Sequence, residues 1–194
     1  MTSDYSEAFA CGVEAWSGFW GDPLFSGTLM MVTYAVAALM ALRAVRGPRG
    51  LQGLRGVERV VWALAAVLLV FQVANTPLDL HGLAWASGRC LAHIQGWYAE
   101  RHAYQRELLI LVALTVCALM AICILVLRRD LVSNGLLVLG LGLSLGMTVV
   151  KGINYHHLEA LYALPLGPLR IPDVIELVGI ACVLCAAYIK AKRA

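Results

Sequence analysis

The chain has 194 residues, 61% apolar and only 14% charged, and its mean hydropathy is +0.78. Soluble domains carry about 25% charged and about 45–50% apolar residues. The composition therefore excludes a disordered chain, a nucleic-acid-binding tail and an ordinary soluble enzyme, and leaves an integral membrane protein whose main partner is the lipid bilayer. A crossing needs about 20 apolar residues, so the length holds a handful of spans and little else.

Met1–Gly21 is acidic and aromatic, with neither the basic start nor the apolar run of a cleavable signal peptide. Residues 1–22 read as an outer arm, with Trp16, Phe19 and Trp20 as interfacial anchors. Pro23–Leu42 is the first uncharged stretch. Arg43–Arg59 follows with five arginines among glycines, a flexible basic turn suited to anionic headgroups. Val60–Leu78 is the second stretch, and Asn75-Thr76-Pro77 offers it a break. The connection 79–107 is long and not loop-like. Arg89, His93, Trp97, Arg101 and Gln105 recur there every four residues, which predicts one helix from Arg89 onward lying in the membrane interface.

Leu108–Leu127 and Leu131–Val150 are the third and fourth stretches, with Arg128 and Arg129 between them. Small residues in the fourth (Gly135, Gly140, Gly142, Ser144, Gly146) permit close helix packing, within the chain or in a homo-oligomer. Lys151, Asn154, His156, His157 and Glu159 follow directly. The fifth stretch, Ile171–Ile189, opens with Asp173 and Glu176 on one face and leads to Lys190, Lys192 and Arg193. The whole chain, 1–194, is thus expected to be one all-α membrane domain of five transmembrane helices. Five spans put ten of the basic residues on one side and five on the other. The positive-inside rule then gives an outer N-terminus and a cytoplasmic C-terminus in a bacterial inner membrane.

On that topology Cys11 and Cys90 share the oxidising outer side, where a disulfide between them is permitted. Cys117, Cys123, Cys182 and Cys185 lie inside spans and read as small apolar residues. Cys182-x-x-Cys185 has a redox spacing but no basic neighbour to stabilise a thiolate.

All five histidines, His81, His93, His102, His156 and His157, fall on or near the outer side. With Glu159 they are candidate ligands for a transition metal (Zn, Cu or Fe) or haem. Charges at membrane depth are costly and mark function or pairing. Asp79, Lys151, Asp173 and Glu176 would therefore converge with the Arg89–Gln105 helix on one pocket, Lys151 pairing Asp173 or Glu176. Arg89, Arg101 and Lys151 are alternatively suited to an anionic headgroup, with Trp97, Tyr98 and Gln105 nearby.

Pro77-Leu-Asp-Leu80, Gly88-Arg89, Gly96-Trp-Tyr98, Arg101, Gln105, His156-His157-Leu-Glu159 and Ile175-Glu176-Leu177 resemble an uncharacterised family of small bacterial five-helix inner-membrane proteins. His102 replaces a second arginine of that pattern, Glu159 an aspartate, and Pro172-Asp173 an asparagine–tryptophan. The resemblance covers about half the chain and implies a shared outer-face site without naming a reaction. Three functions follow as expectations: a metal- or haem-binding membrane enzyme or redox protein, a non-catalytic subunit docking a membrane-protein partner, and a transporter or channel.

The basic asymmetry makes a direct prediction. Single reporter cysteines at Gly50 and Ala194 should label from the cytoplasmic side and one at Gly96 from the other; opposite sides for Gly50 and Ala194 would exclude five spans.

Overall fold

The computed structural model describes residues 2–16, 24–46, 56–126, 131–153 and 164–193. Its elements are α1 (Thr2–Ala15), α2 (Leu24–Arg46), α3 (Gly56–Leu78), α4 (Leu80–Ile94), a short 3-10 turn (Tyr98–Glu100), α5 (Arg101–Val126) and α6 (Leu131–Ile153). A two-stranded hairpin, β1 (Pro165–Leu166) with β2 (Leu169–Arg170), precedes α7 (Ile171–Arg193). Helices α2, α3, α5, α6 and α7 are each long and apolar enough to cross a membrane, so this is a multi-pass membrane protein.

Four of the five form the core. Tyr34, Ala37, Ala38 and Ala41 of α2 pack with Trp62, Ala65, Ala66 and Leu69 of α3, and Leu137 of α6 meets Ile180, Val183, Ala186 and Ala187 of α7. The α6–α7 seam is the tightest. A Cβ on Gly140 would lie 2.8 Å from Val183 Cγ2, and one on Gly179 would lie 2.8 Å from the Gly140 carbonyl oxygen. Small residues there let two backbones touch, which is how membrane helices gain packing without a hydrophobic driving force. Gly135 and Gly146, by contrast, face open space. Helix α5 stands outside the core. It packs chiefly on α6, where Gly142 admits Met120, and none of its membrane-crossing stretch is buried.

The connection 79–107 is not the single interfacial helix that its four-residue spacing predicts. Helix α4 begins nine residues before Arg89 and ends at a Schellman motif. Gly96 takes φ +78°, its N–H bonds the His93 carbonyl, and the Trp97 N–H bonds the Ala92 carbonyl. The stripe is cut at that point: Arg89 and His93 belong to α4, whereas Arg101 and Gln105 belong to the first turns of spanning helix α5. A glycine that only α4's end requires outweighs the charge periodicity.

The N-terminal arm is helical over 2–15, a feature its composition gave no periodic signal for. Helix α1 lies antiparallel on α4, burying Ala8 and Gly12. Cys11 and Cys90 are joined in a disulfide with Cα atoms 6.1 Å apart. Trp16, instead of acting only as an interfacial anchor, donates its indole N–H to the Asp79 carbonyl at 3.2 Å. Phe19 and Trp20 lie outside the described residues. The four other cysteines are free thiols.

The α1–α4 seam depends on Gly12, where a Cβ would sit 2.7 Å from the Ser87 Cα and N. Gly12→Leu should therefore push the helices apart, at about 1–3 kcal/mol, and lower the fraction of chains with the Cys11–Cys90 bond. Gly88→Leu, at an open position, should leave that fraction unchanged in non-reducing peptide mapping.

Candidate functional site

The polar residues that interrupt the spanning helices meet in two places, one at each end of the core. At the end where α3 passes into α4, Glu176 of α7 is buried, 5% exposed, between two partners. Lys151 Nζ of α6 lies 2.6 Å from its Oε1, and Tyr34 Oη of α2 donates to its Oε2 at 3.0 Å. Lys151 also faces Asp173 Oδ1 at 3.7 Å. The other Asp173 oxygen accepts the Arg170 N–H at 3.0 Å. That bond is the reciprocal half of a capping box at the start of α7, with Asp173 three residues into the helix. Asp173 thus fixes the helix end and shares the lysine.

A second chain of hydrogen bonds runs beside this one. Asn75 Nδ2 donates to Gln72 Oε1 at 3.4 Å, Gln72 Nε2 donates to Thr148 Oγ1, and Thr148 Oγ1 donates to the Ser144 carbonyl at 3.2 Å. This path links α3 to α6. Asn75 Oδ1 is left buried and without a hydrogen-bond partner among the described residues.

Helix α4 supplies the last wall. Asp79 takes the left-handed conformation, φ 47° and ψ 47°, and its Oδ1 caps α4 by accepting the Gly82 N–H at 3.2 Å. Gly82 leaves room for this cap, because a Cβ there would lie 2.7 Å from Asp79 Cγ and displace the carboxylate. The same Oδ1 lies 3.1 Å from His81 Nε2. With the proton of a neutral ring on Nε2, toward that carboxylate, Nδ1 would be left as an acceptor. His81 Nδ1 is buried and has no hydrogen-bond partner among the described residues.

These groups surround one small cavity, to which five helices contribute: α2 (Tyr34), α3 (Gln72, Asn75), α4 (His81), α6 (Lys151) and α7 (Glu176). It leaves about 10 Å³ for the centre of a water-sized sphere, the volume one water or one ion needs. Apart from Glu176 Oε1, which Lys151 meets, the buried atoms of its lining residues without a hydrogen bond among the described residues are Asn75 Oδ1 and His81 Nδ1.

The structure thus brings Asp79, His81, Lys151, Asp173 and Glu176 together and leaves the arginine stripe elsewhere. His93, exposed at the end of α4, stacks on Tyr98 with centroids 3.8 Å apart, and Arg89 and Arg101 lie over that same ring at 6.0 and 4.1 Å. Trp97 bonds Gln95 and packs on Tyr104. His102 is exposed on α5, and Gln105 is half-buried there. The single pocket expected from the sequence is therefore two separate clusters. Asn154, His156, His157 and Glu159 lie outside the described residues. Among the described residues no group of three or more His, Cys, Asp or Glu side chains is placed to hold a metal ion.

Four partners were missed in the sequence: Tyr34, Gln72, Asn75 as an acceptor, and Thr148. Scanning for uncharged stretches passes over amides and hydroxyls, yet Gln72 and Asn75 are three apart in an otherwise apolar run and so share a face. A further polar knot at the opposite end was also missed. Glu58 pairs with Lys190 and accepts from Asn134 Nδ2 at 3.0 Å, while Asn134 Oδ1 accepts the buried Trp62 indole N–H at 3.2 Å. Glu58, within the Arg43–Arg59 stretch expected to be a flexible turn, is in the first turn of α3.

Compared with family models, curated proteins and solved structures, the chain matches none.

Proposed function

We propose that this multi-pass protein sits in a bacterial inner membrane with the cavity toward the periplasmic side, and that its function is to hold a small cation there. The class of ion is a transition metal, taken up by His81. The observation that carries this reading is the Asp79–His81 pair: the carboxylate lies 3.1 Å from Nε2, while the buried Nδ1 of this cavity-lining residue has no hydrogen-bond partner among the described residues. A metal-binding histidine characteristically has a carboxylate beside its other ring nitrogen, which orients the ring.

Asn75 Oδ1 supports the same reading as a second open acceptor on the cavity wall. One imidazole nitrogen with oxygen donors suits divalent zinc, copper or iron. The size of the cavity favours an ion over a macrocycle such as haem. Lys151 is held by Glu176 and Asp173, which keeps its ammonium off the histidine and lets the acids outnumber the base at this end. An ion bound there would act as a Lewis acid or, for iron and copper, as a one-electron centre. On this reading the chain's own residues do the positioning: Asp79 orients His81, and Gln72 orients Asn75.

Protein purified in mild detergent, stripped of metal and then exposed to zinc, copper or ferrous iron should retain close to one ion per chain by mass-spectrometric metal analysis. His81→Ala should abolish retention, and Asp79→Asn should weaken it by about 10–100-fold. Equal metal content in wild type and His81→Ala would refute the reading.

A further inference from the structure

We infer that the second cluster, around Tyr98, binds the phosphodiester of one phospholipid. Tyr98 is a platform flanked by two guanidiniums: Arg101 at 4.1 Å, whose Nη1 also donates to the Tyr98 carbonyl at 3.1 Å, and Arg89 at 6.0 Å, which also lies 5.6 Å from the Trp85 ring. Among the described residues neither arginine has a carboxylate within ion-pair distance. A guanidinium over an aromatic ring keeps donors at its edge; beyond the one Arg101 gives the Tyr98 carbonyl, the remaining N–H groups match phosphate oxygens.

The level of the cluster in the membrane follows from helix length. Helix α5 has 26 residues, about 39 Å at 1.5 Å per residue, against a hydrocarbon core of about 30 Å. Its apolar part begins at Leu108, so Arg101–Glu107 stands beyond the core, at the depth of the headgroups. Trp97 and Tyr104, packed together at 4.9 Å, are the aromatic belt expected at that depth.

The space beside the platform fits the rest of such a lipid. A groove of about 500 Å³ runs between α1 and α4, with Ala15, Trp85 and Ile94 in its walls, and Arg89 and His93 at the side facing Tyr98. Glu7 adds one acid from the α1 wall. That acid disfavours a doubly charged phosphomonoester and leaves the site suited to the single charge of a diester. The occupant is thus a phospholipid with its phosphate on Arg89 and Arg101 and its apolar part in the groove.

The test is lipid retention. Protein in mixed nanodiscs of phosphatidylglycerol, phosphatidylethanolamine and phosphatidic acid is transferred to detergent, washed, and weighed by native mass spectrometry. The expected result is one retained phosphatidylglycerol or phosphatidylethanolamine per chain, with phosphatidic acid disfavoured. The Arg89→Gln/Arg101→Gln variant should retain at least about tenfold less, in keeping with loss of charge-assisted hydrogen bonds, and Arg106→Gln should match wild type. If the double variant does not fold, Arg89→Gln alone, at an exposed position, carries the same expectation of reduced retention. Equal retention by the arginine variants would overturn the proposal. So would binding of inorganic phosphate by delipidated protein that retains no lipid, since the ligand would then be the free anion.

Discussion

The structure turns on one half-buried cation, Lys151, placed against the buried acids Glu176 and Asp173. A charge at the centre of a membrane helix costs about 2.5–3.5 kcal/mol on insertion scales; Lys151, Asp173 and Glu176 stand nearer helix ends, where the cost is smaller, but packing shields them from the water that would relieve it. Packed together, the three groups satisfy one another, and Tyr34 from a third helix completes the acid's hydrogen bonding. This requirement registers α2, α6 and α7 against one another along their length. The apolar surface could not do so alone, because lipid tails are as apolar as leucine.

A comparable knot of Glu58, Lys190, Asn134 and Trp62 closes the opposite end. Between the two lies a seam of alanines and glycines in which backbones approach closely. The ends specify which helices are neighbours, and the small residues let those neighbours come near. Helix α5 takes part in neither knot and has no buried stretch, which explains why it stands aside from the core. Its contribution lies at its charged start, where Arg101 reaches over Tyr98.

The five spanning helices were legible because long apolar runs have few other uses, and because membrane helices bond their own backbones. The convergence of Lys151, Asp173 and Glu176 was legible for the same reason: unpaired charge at that depth is expensive. What failed was the periodicity of the arginine stripe. Spacing by four is a helical signal only if the backbone stays helical, and Gly96 with positive φ ends α4 inside the pattern. Amides and hydroxyls were harder still. Gln72, Asn75 and Thr148 do not interrupt an uncharged run, and their importance lies in directed hydrogen bonds between α3 and α6 that no one-dimensional pattern contains. Helix α1 was hidden because it packs through Ala8 and Gly12, residues too small to register as an apolar face.

The dependence of the bundle on the lysine–acid pair is best measured by a double-mutant cycle. Wild type, Lys151→Met, Glu176→Met and the double variant are unfolded reversibly under one detergent condition. Lys151→Met leaves the buried Glu176 without its cation and should cost about 3–5 kcal/mol; Glu176→Met, whose lysine keeps Asp173, should cost less. The double variant should cost less than the two together by at least about 1 kcal/mol, as for residues in direct contact. Additivity within about 0.5 kcal/mol would mean that Lys151 and Glu176 do not hold each other, and would contradict this account of the fold and of its cavity.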